Sequence, residues 1–410
     1  MKSEFKIRAS IDLGTTKVSA MIAEMQGDVL RLIGVGTAPA DGLRQGVVVD
    51  IDRAAACVAR AINEAEHMAG LSPRSYNVGA AGEHVRGMNS RGVVAIPSLE
   101  LEIGPTDVSR AVEAARKFSL PYDREIIHTL PQEFIVDSQR GVRAPAGMFG
   151  ARLEARVHVV TASRPALDNL AKTLEQAGAE VGEIVLEPLA SSRAVLTDDE
   201  RDMGVVLLDI GGGTTDVIVF VDGGVVASGV IGLGGTNITS DVAYGLRTSQ
   251  GHAEEIKIRH GCALTSLVDG DETIEVATMG FRERRRLARQ LLSGIIEPRV
   301  TELFELIGAQ IAESGLKPVL GAGVVITGGS AMLRGTRELA EQVFDMPARV
   351  GSPERVAGLR EIVEHPRFAT GVGLLHAVEG AQGSAGARSA GSKRLMHSFG
   401  QLKRAIASLI

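Results

Sequence analysis

The 410-residue sequence predicts an α/β protein made of two similar lobes that face one another. The first observation behind this is an internal duplication. Ala9 to Thr37 and Val206 to Gly235 each run apolar strand, Asp, Gly-rich turn with paired Thr, second apolar strand, polar turn and third strand. A unit repeated in one chain implies two half-domains of one design. The second observation is length, because 410 residues exceed one comfortable core. The third is composition: 44% hydrophobic and 23% charged residues exclude wholesale disorder.

The first strand follows a charged start, MKSEFKIRASIDLG, with no apolar signal-peptide core. No run approaches the ~20 apolar residues of a membrane span, which predicts a body that stays in the cytoplasm. The repeated turns carry the chemistry. Asp12-Leu13-Gly14-Thr15-Thr16-Lys17 and Asp209-Ile210-Gly211-Gly212-Gly213-Thr214-Thr215-Asp216 read as hairpin turns whose glycines let backbone N–H groups approach a phosphate, with Thr hydroxyls as further donors. One such turn is ordinary hairpin chemistry; two matched copies would grip a triphosphate from both sides. Asp12 and Asp209 would repel a phosphate, so their natural partner is Mg²⁺, held through retained water.

Between the repeats, residues 83–162 read as an inserted α+β subdomain whose helix runs from Ser109 to Phe118, with Ala111, Val112, Ala115 and Phe118 as its packed face. Glu187-Pro188 follows the strand Glu183 to Leu186 and opens a crossover helix. That leaves the Glu187 carboxylate at a strand end, where it can orient water or metal. Gly234-Gly235-Thr236-Asn237 opens a helix, Ile238 to Leu246, whose N-terminus attracts anions. Long helices are expected over Gly280 to Leu292 and Ile295 to Glu313, the first carrying the charge run Phe281 to Arg289. Val319 to Ser330 reads as a buried strand ending in Gly328-Gly329-Ser330. There a glycine pair lets an adenine or ribose lie on the backbone, and Ser330 is the expected N-cap of the next helix. A helix near Thr370 to Glu379 closes the first lobe.

The tail differs in kind. Residues 380–392 form a Gly/Ala/Ser linker with a reach of roughly 20 Å. In 393–410, Leu395, Phe399, Leu402, Ile406, Leu409 and Ile410 fall within an arc of about 100° on a helical wheel. Lys393, Arg394 and Arg404 lie away from that arc, Lys403 sits at its edge, and no acid follows Glu379. An apolar face beside a cationic one describes an interfacial helix for anionic lipid. It has no Trp and one aromatic, so each copy binds weakly and several must act together.

Other chemistries find little support. The net charge of −6 gives no nucleic-acid footprint. Cys57 and Cys262 read as small buried side chains, no His pair has metal-ligand spacing, and no Gly-x-Ser-x-Gly elbow occurs.

The order of these motifs resembles the actin, sugar-kinase and Hsp70 ATPase superfamily, and within it the FtsA family of bacterial cell-division proteins. The resemblance rests on Ile11 to Lys17, His128 to Ala162, Glu187 to Leu196, LDIGGGTTD, Gly232 to Ala243, Ala253 to Lys257, Thr327 to Leu333 and the final helix. It implies an actin-like two-lobed ATPase fold of duplicated ribonuclease H-like domains with the FtsA-type insert. The expected division is 1–82, 163–203 and 365–379 for the first lobe, and 83–162 for the insert. The second lobe would take 204–233 and 318–364, with 234–317 as its helical subdomain. Expected ligands are ATP and Mg²⁺, with Glu254, Lys257 and Leu333 joining the adenosine side and Glu187 and Asp209 orienting water, in a structural protein with at most weak ATPase activity. Expected partners are a second copy in a head-to-tail polymer, anionic inner-membrane lipid, other divisome proteins and the C-terminal peptide of FtsZ. That peptide would meet Arg282, Arg284, Arg285 and Arg286, since Arg forks pair carboxylates. The expected place is the cytoplasmic face of the inner membrane at the septum. Within the superfamily, a small-molecule kinase has no sugar-binding segment here, and a pilus-assembly adaptor has no use for the basic tail. An Hsp70-type chaperone would need a substrate domain.

Overall fold

The computed structural model describes residues 6–27, 29–97, 102–277, 284–354 and 356–376. The linker, the tail helix and Arg282 lie outside the described residues.

The first repeat folds as three antiparallel strands, β1 (Lys6–Leu13), β2 (Lys17–Gln26) and β3 (Val29–Pro39). A short hairpin, β4 (Leu43–Arg44) and β5 (Val47–Val48), leads to helix α1 (Ile51–Ala69) and strand β6 (Ser75–Ala80). Asp50 caps α1 by accepting from the Arg53 N–H, and the helix ends on Gly70 in the left-handed region. The insert contributes β7 (Arg86–Ala95), α2 (Pro105–Ala115), β8 (Arg124–Val136), β9 (Gln139–Val142) and β10 (Arg152–Ser163). Its helix starts and ends a few residues earlier than expected because Pro105 opens it, with Gly104 as N-cap. Then come α3 (Arg164–Gln176), β11 (Glu180–Leu186), α4 (Glu187–Val195) and α5 (Asp198–Met203).

The second repeat gives β12 (Val205–Ile210), β13 (Thr215–Val221) and β14 (Gly224–Ile231), followed by α6 (Gly235–Leu246) and α7 (Gln250–His260). The remainder is β15 (Thr273–Ala277), β16 (Arg284–Ala288), α8 (Arg289–Glu313), β17 (Gly323–Thr327), α9 (Thr336–Phe344), β18 (Ala348–Val350), β19 (Val356–Gly358), α10 (Arg360–Val363) and α11 (Ala369–His376).

The duplication is visible in the sheets. One has the order β11-β6-β1-β2-β3-β19 and the other β14-β13-β12-β17-β18. In each, an antiparallel triplet is extended by two parallel strands beside its first member. The insert is a separate sheet, β7-β10-β8-β9, packed on α2. Strand β12 is buried on both faces. Val206, Leu208 and Ile210 point to the helical side with Val242, Ile296 and Phe304, whereas Val205 and Leu207 join Met21, Leu32, Leu189 and Val372 in a core shared between the lobes.

Two expectations fail here. The stretch Gly280 to Leu292 is not one helix, because Arg284–Ala288 pairs antiparallel with Thr273–Ala277 as a hairpin. The alternation in β15 explains this: Ile274 and Val276 turn inward against the helical core, and Leu287 packs on the same cluster. Arg285 and Arg286 are exposed on that hairpin, and Arg286 donates to Thr273 Oγ1 at 2.9 Å. Helix α8 then runs unbroken through Ser293-Gly294 and Pro298, since Leu292, Ile296, Val300, Leu303, Ile307 and Ile311 keep a buried helical stripe. The second failure is Ser330. It sits inside a single 3₁₀ turn, Gly329–Met332, and α9 starts from Gly335. Its hydroxyl instead donates to Gly211 O at 3.3 Å, tying this turn to the Gly-rich loop after β12.

Candidate functional site

The two repeated turns meet in the structure. A Cβ placed on Gly212 would lie 2.6 Å from Thr16 Cγ2, and one on Gly213 would lie 2.6 Å from Thr15 Oγ1. Only glycine permits that approach between turns of opposite lobes. Around them opens a cleft of about 570 Å³, within the size range of small-molecule sites. It is lined by Asp12, Gly14, Thr15, Thr16 and Lys17 of the first lobe, by Gly211, Gly212 and Thr214 of the second loop, and by Glu187 and Asp209. Gly235, Glu254, Lys257, Gly328, Gly329, Ser330 and Leu333 complete the far wall.

Four sequence-expected residues support this wall rather than line it. Thr215 Oγ1 donates to Leu233 O at 2.8 Å, and Asn237 Oδ1 accepts from the Gly234 N–H at 3.0 Å. Gly213 packs under Thr15, and Gly234 lies against the Gly211 and Gly212 carbonyls. The first amides of α6 are themselves engaged: Gly235 N donates to Gly211 O at 2.9 Å and Thr236 N to Gly212 O at 2.7 Å. The helix start therefore braces the second loop. Asn237→Ala should cost about 1 kcal/mol, the usual worth of a cap, and should loosen this brace; urea unfolding measures it.

On the far wall, Lys257 Nζ donates to Gly235 O at 3.0 Å and Thr239 Oγ1 at 2.9 Å, and pairs with Glu254 at 2.7 Å. Thr239 also donates to Glu254.

Electrostatically the cleft is dominated by four carboxyls. Asp12, Asp209 and Asp216 are 7%, 8% and 4% exposed, and Glu187 lines the same space. Burial pushes the Asp12 carboxyl up to about 6, with Asp209 adding to the rise while Lys17 and the Ser19 hydroxyl oppose it. Glu187 is raised well above the ordinary carboxylate range by burial and by Asp12, Asp216 and Asp209. Asp216 is raised well above it by burial and Asp209, and Asp209 by burial against hydrogen bonds from Ser191 at 2.5 Å and Thr370 at 3.0 Å. Burial lowers Lys17 to about 8; its Nζ donates to Arg367 O at 3.1 Å and stands 3.9 Å above the Phe368 ring.

Such a cluster is short of positive charge. Asp216 Oδ1 is buried without a partner. Among the described residues, no three acidic, His or Cys side chains are placed to ligate an ion directly. Four carboxyls, one with an orphaned buried oxygen, are a donor set that fits a hydrated Mg²⁺ held through water, the mode that this small cation prefers.

Sequence reasoning missed Asp216, Ser191, Thr370 and Arg367 as site residues. Asp216 had a signal, since it takes the place of Lys17 in the second repeat. The others arrive from α4, from the turn Pro366–Phe368 and from α11, distances no local pattern encodes.

The family model described as "Cell division protein FtsA" matches residues 206–373, and the one described as "SHS2 domain inserted in FTSA" matches residues 82–161. The cell division protein FtsA of Pseudomonas aeruginosa is 46% identical over 371 residues, covering 90% of this chain and 88% of that protein. The FtsA of Escherichia coli K12 is 39% identical over 379 residues, covering 90% of each. Among solved structures, the PilM-PilN type IV pilus biogenesis complex superposes with TM-score 0.65 at 18% identity, covering 90% of this chain and 97% of that one. MreB 5 of Spiroplasma citri bound to AMPPNP gives 0.55 at 15%, covering 90% and 95%. At such identity these two speak to fold, which is that of the actin-like ATPases. With its duplicated sheets, its insert and 46% identity to a curated member over nine-tenths of its length, the chain belongs to the FtsA family of cell-division proteins.

Proposed function

We propose that this FtsA-family chain binds MgATP in the inter-lobe cleft, assembles head to tail with copies of itself, and tethers the FtsZ ring to anionic inner-membrane lipid at the septum through residues 393–410. One observation carries the nucleotide part: two matched Thr/Gly turns from opposite lobes in contact beside four carboxyls, three of them buried. In this reading Gly14, Thr15, Thr16, Gly211, Gly212 and Thr214 hold the phosphates, and Lys17 faces their charge. Glu254, Lys257, Gly328, Gly329, Ser330 and Leu333 receive the adenosine.

Bound Mg²⁺ supplies charge to offset the phosphates and the carboxyls. Asp12 and Asp209 hold its water shell. Glu187 and Asp209 are placed to orient a water. Burial and the neighbouring Asp12, Asp216 and Asp209 favour the neutral form of Glu187 while the cluster is uncompensated, and the nucleotide acts in this reading by favouring one lobe arrangement. The division into two lobe cores, insert, helical subdomain, linker and terminal helix belongs to the same reading. So does the docking of FtsZ's C-terminal peptide near Arg282, Arg284, Arg285 and Arg286, and recruitment of other divisome proteins.

The membrane part is tested by vesicle co-sedimentation of the full chain and of a version ending at Ser392, on anionic and neutral lipid, with and without MgATP. Binding should fall at least tenfold on truncation and weaken on neutral lipid. Assembly should strengthen it, because every added tail raises avidity. Equal binding of both chains would remove the anchor.

A further inference from the structure

Strand β14 forms the outer edge of the second sheet, and a strand edge presents unpaired carbonyls and amides. The insert, which belongs to the first half of the chain, covers that edge with side chains. Gln132 Nε2 donates to Val225 O at 2.8 Å, and Asn89 Nδ2 donates to Val226 O at 3.0 Å. His158, 2% exposed, stands between Asn89 Oδ1 at 2.7 Å and Ser228 Oγ at 2.8 Å. Gln132 Nε2 also donates to Asn89 Oδ1 at 2.9 Å. Asn89 Oδ1 can only accept, which assigns the His158 proton to Nδ1 and makes Nε2 the acceptor of the Ser228 hydroxyl. Each of these side chains is thus engaged, and the contact is close: a Cβ on Gly87 would lie 2.4 Å from Ser228 Oγ.

The same strand runs on to the phosphate side of the cleft. Gly234, where the brace of the second loop begins, lies eight positions after Val226. Two positions before it, Gly232 O accepts from Gln45 Nε2 of the first-lobe β4–β5 hairpin at 3.2 Å, and Gln45 holds a left-handed backbone at φ 48°. The segment 224–235 is therefore gripped by first-half groups at two places and touches the nucleotide cleft at its end.

We propose that the insert is coupled to cleft occupancy through β14: when a nucleotide repositions the Gly234–Asn237 brace, the Asn89–Gln132–His158–Ser228 network transmits that shift to the insert. The inference rests on the nucleotide reading above. A network whose members are all engaged around the buried His158 ties the insert to β14 at several points, so the insert travels with that strand when the lobes shift. The insert then serves as an output surface whose placement reports the state of a cleft it does not line.

Hydrogen–deuterium exchange tests this on the full chain, with and without saturating MgATP, for wild type, Asn89→Ala/Gln132→Ala and the milder Ser228→Ala. Nucleotide affinity is measured separately with a fluorescent ATP analogue. In wild type, MgATP should alter exchange in both 234–246 and Arg86–Ala95. In the double variant 234–246 should still respond, whereas the response of 86–95 should drop at least threefold; Ser228→Ala should fall between. An unchanged response of 86–95 in both variants would overturn the coupling. So would its absence in a wild type that binds nucleotide. A wild type that binds none overturns the nucleotide reading as well, and the titration separates that outcome from the others.

Discussion

Gly373→Ala should cost about 3 kcal/mol or more and deplete folded protein, although it adds one methyl group. Helices α4 and α11 cross there with no room: a Cβ on Gly373 would stand 1.9 Å from Ala190 O and 2.3 Å from its carbonyl carbon. Both obstacles are backbone, so no rotamer change can yield and the helices must separate. Overpacking a dense core costs about 1–3 kcal/mol where side chains can adapt, and more where they cannot. Against a total stability of about 5–15 kcal/mol this is a large loss. The damage would also reach the cleft, because α4 begins with Glu187 and carries Ser191, and α11 carries Thr370; both hydroxyls donate to Asp209. The urea midpoint of the variant decides it. A midpoint equal to wild type would mean that the crossing is looser than its geometry.

Asp12→Asn should act in the opposite direction on stability while harming ligand binding. The folded Asp12 carboxyl titrates at about 6, against 3.8 when free. Between those values the folded protein holds a proton that the unfolded chain has released. Its contribution is present in full below about 4 and is lost as pH rises through 6. The shift of about two units corresponds to about 3 kcal/mol forgone at neutral pH. Asn neither titrates nor needs a counter-charge. The variant should therefore be more stable than wild type near pH 7.5 without nucleotide, and should lose less stability between pH 4 and 6. Adding MgATP should reverse the ranking, since a ligand stabilises according to its affinity and the variant lacks one carboxylate for the cation's water shell. Denaturant unfolding at several pH values, with and without MgATP, measures both effects. Identical pH profiles for the two proteins would refute the account of Asp12.

What the sequence revealed and what it hid have separate physical causes. The repeats were legible because continuous apolar runs and Gly-rich turns are local features: Ile11-Asp12-Leu13-Gly14 and Leu208-Asp209-Ile210-Gly211 announce strand, carboxylate and turn within four residues. The region Arg284–Ala288 misled because three consecutive arginines hide an alternation that becomes evident only beside its partner strand, where Leu287 lies opposite Ile274. Helix α8 was read as broken at Ser293-Gly294, yet its buried stripe overrides the weak propensity of two residues. Contacts of long sequence separation, such as Thr370 with Asp209 or Asn89 with Val226, leave no trace in any window of sequence.

Helix α11 is fastened to the first lobe along its length. Carbonyls of α11 are held by first-lobe side chains: Ser10 Oγ donates to Gly371 O at 2.8 Å, Asn77 Nδ2 to Leu374 O at 3.1 Å and Arg8 Nη1 to Leu375 O at 3.0 Å. A pull on the segment beyond His376 is thus delivered along α11 and resisted by several hydrogen bonds loaded together in shear. The same helix offers Thr370 to Asp209 and crosses α4 at Gly373, so a mechanical load carried along α11 reaches the carboxyl cluster of the cleft rather than a remote surface.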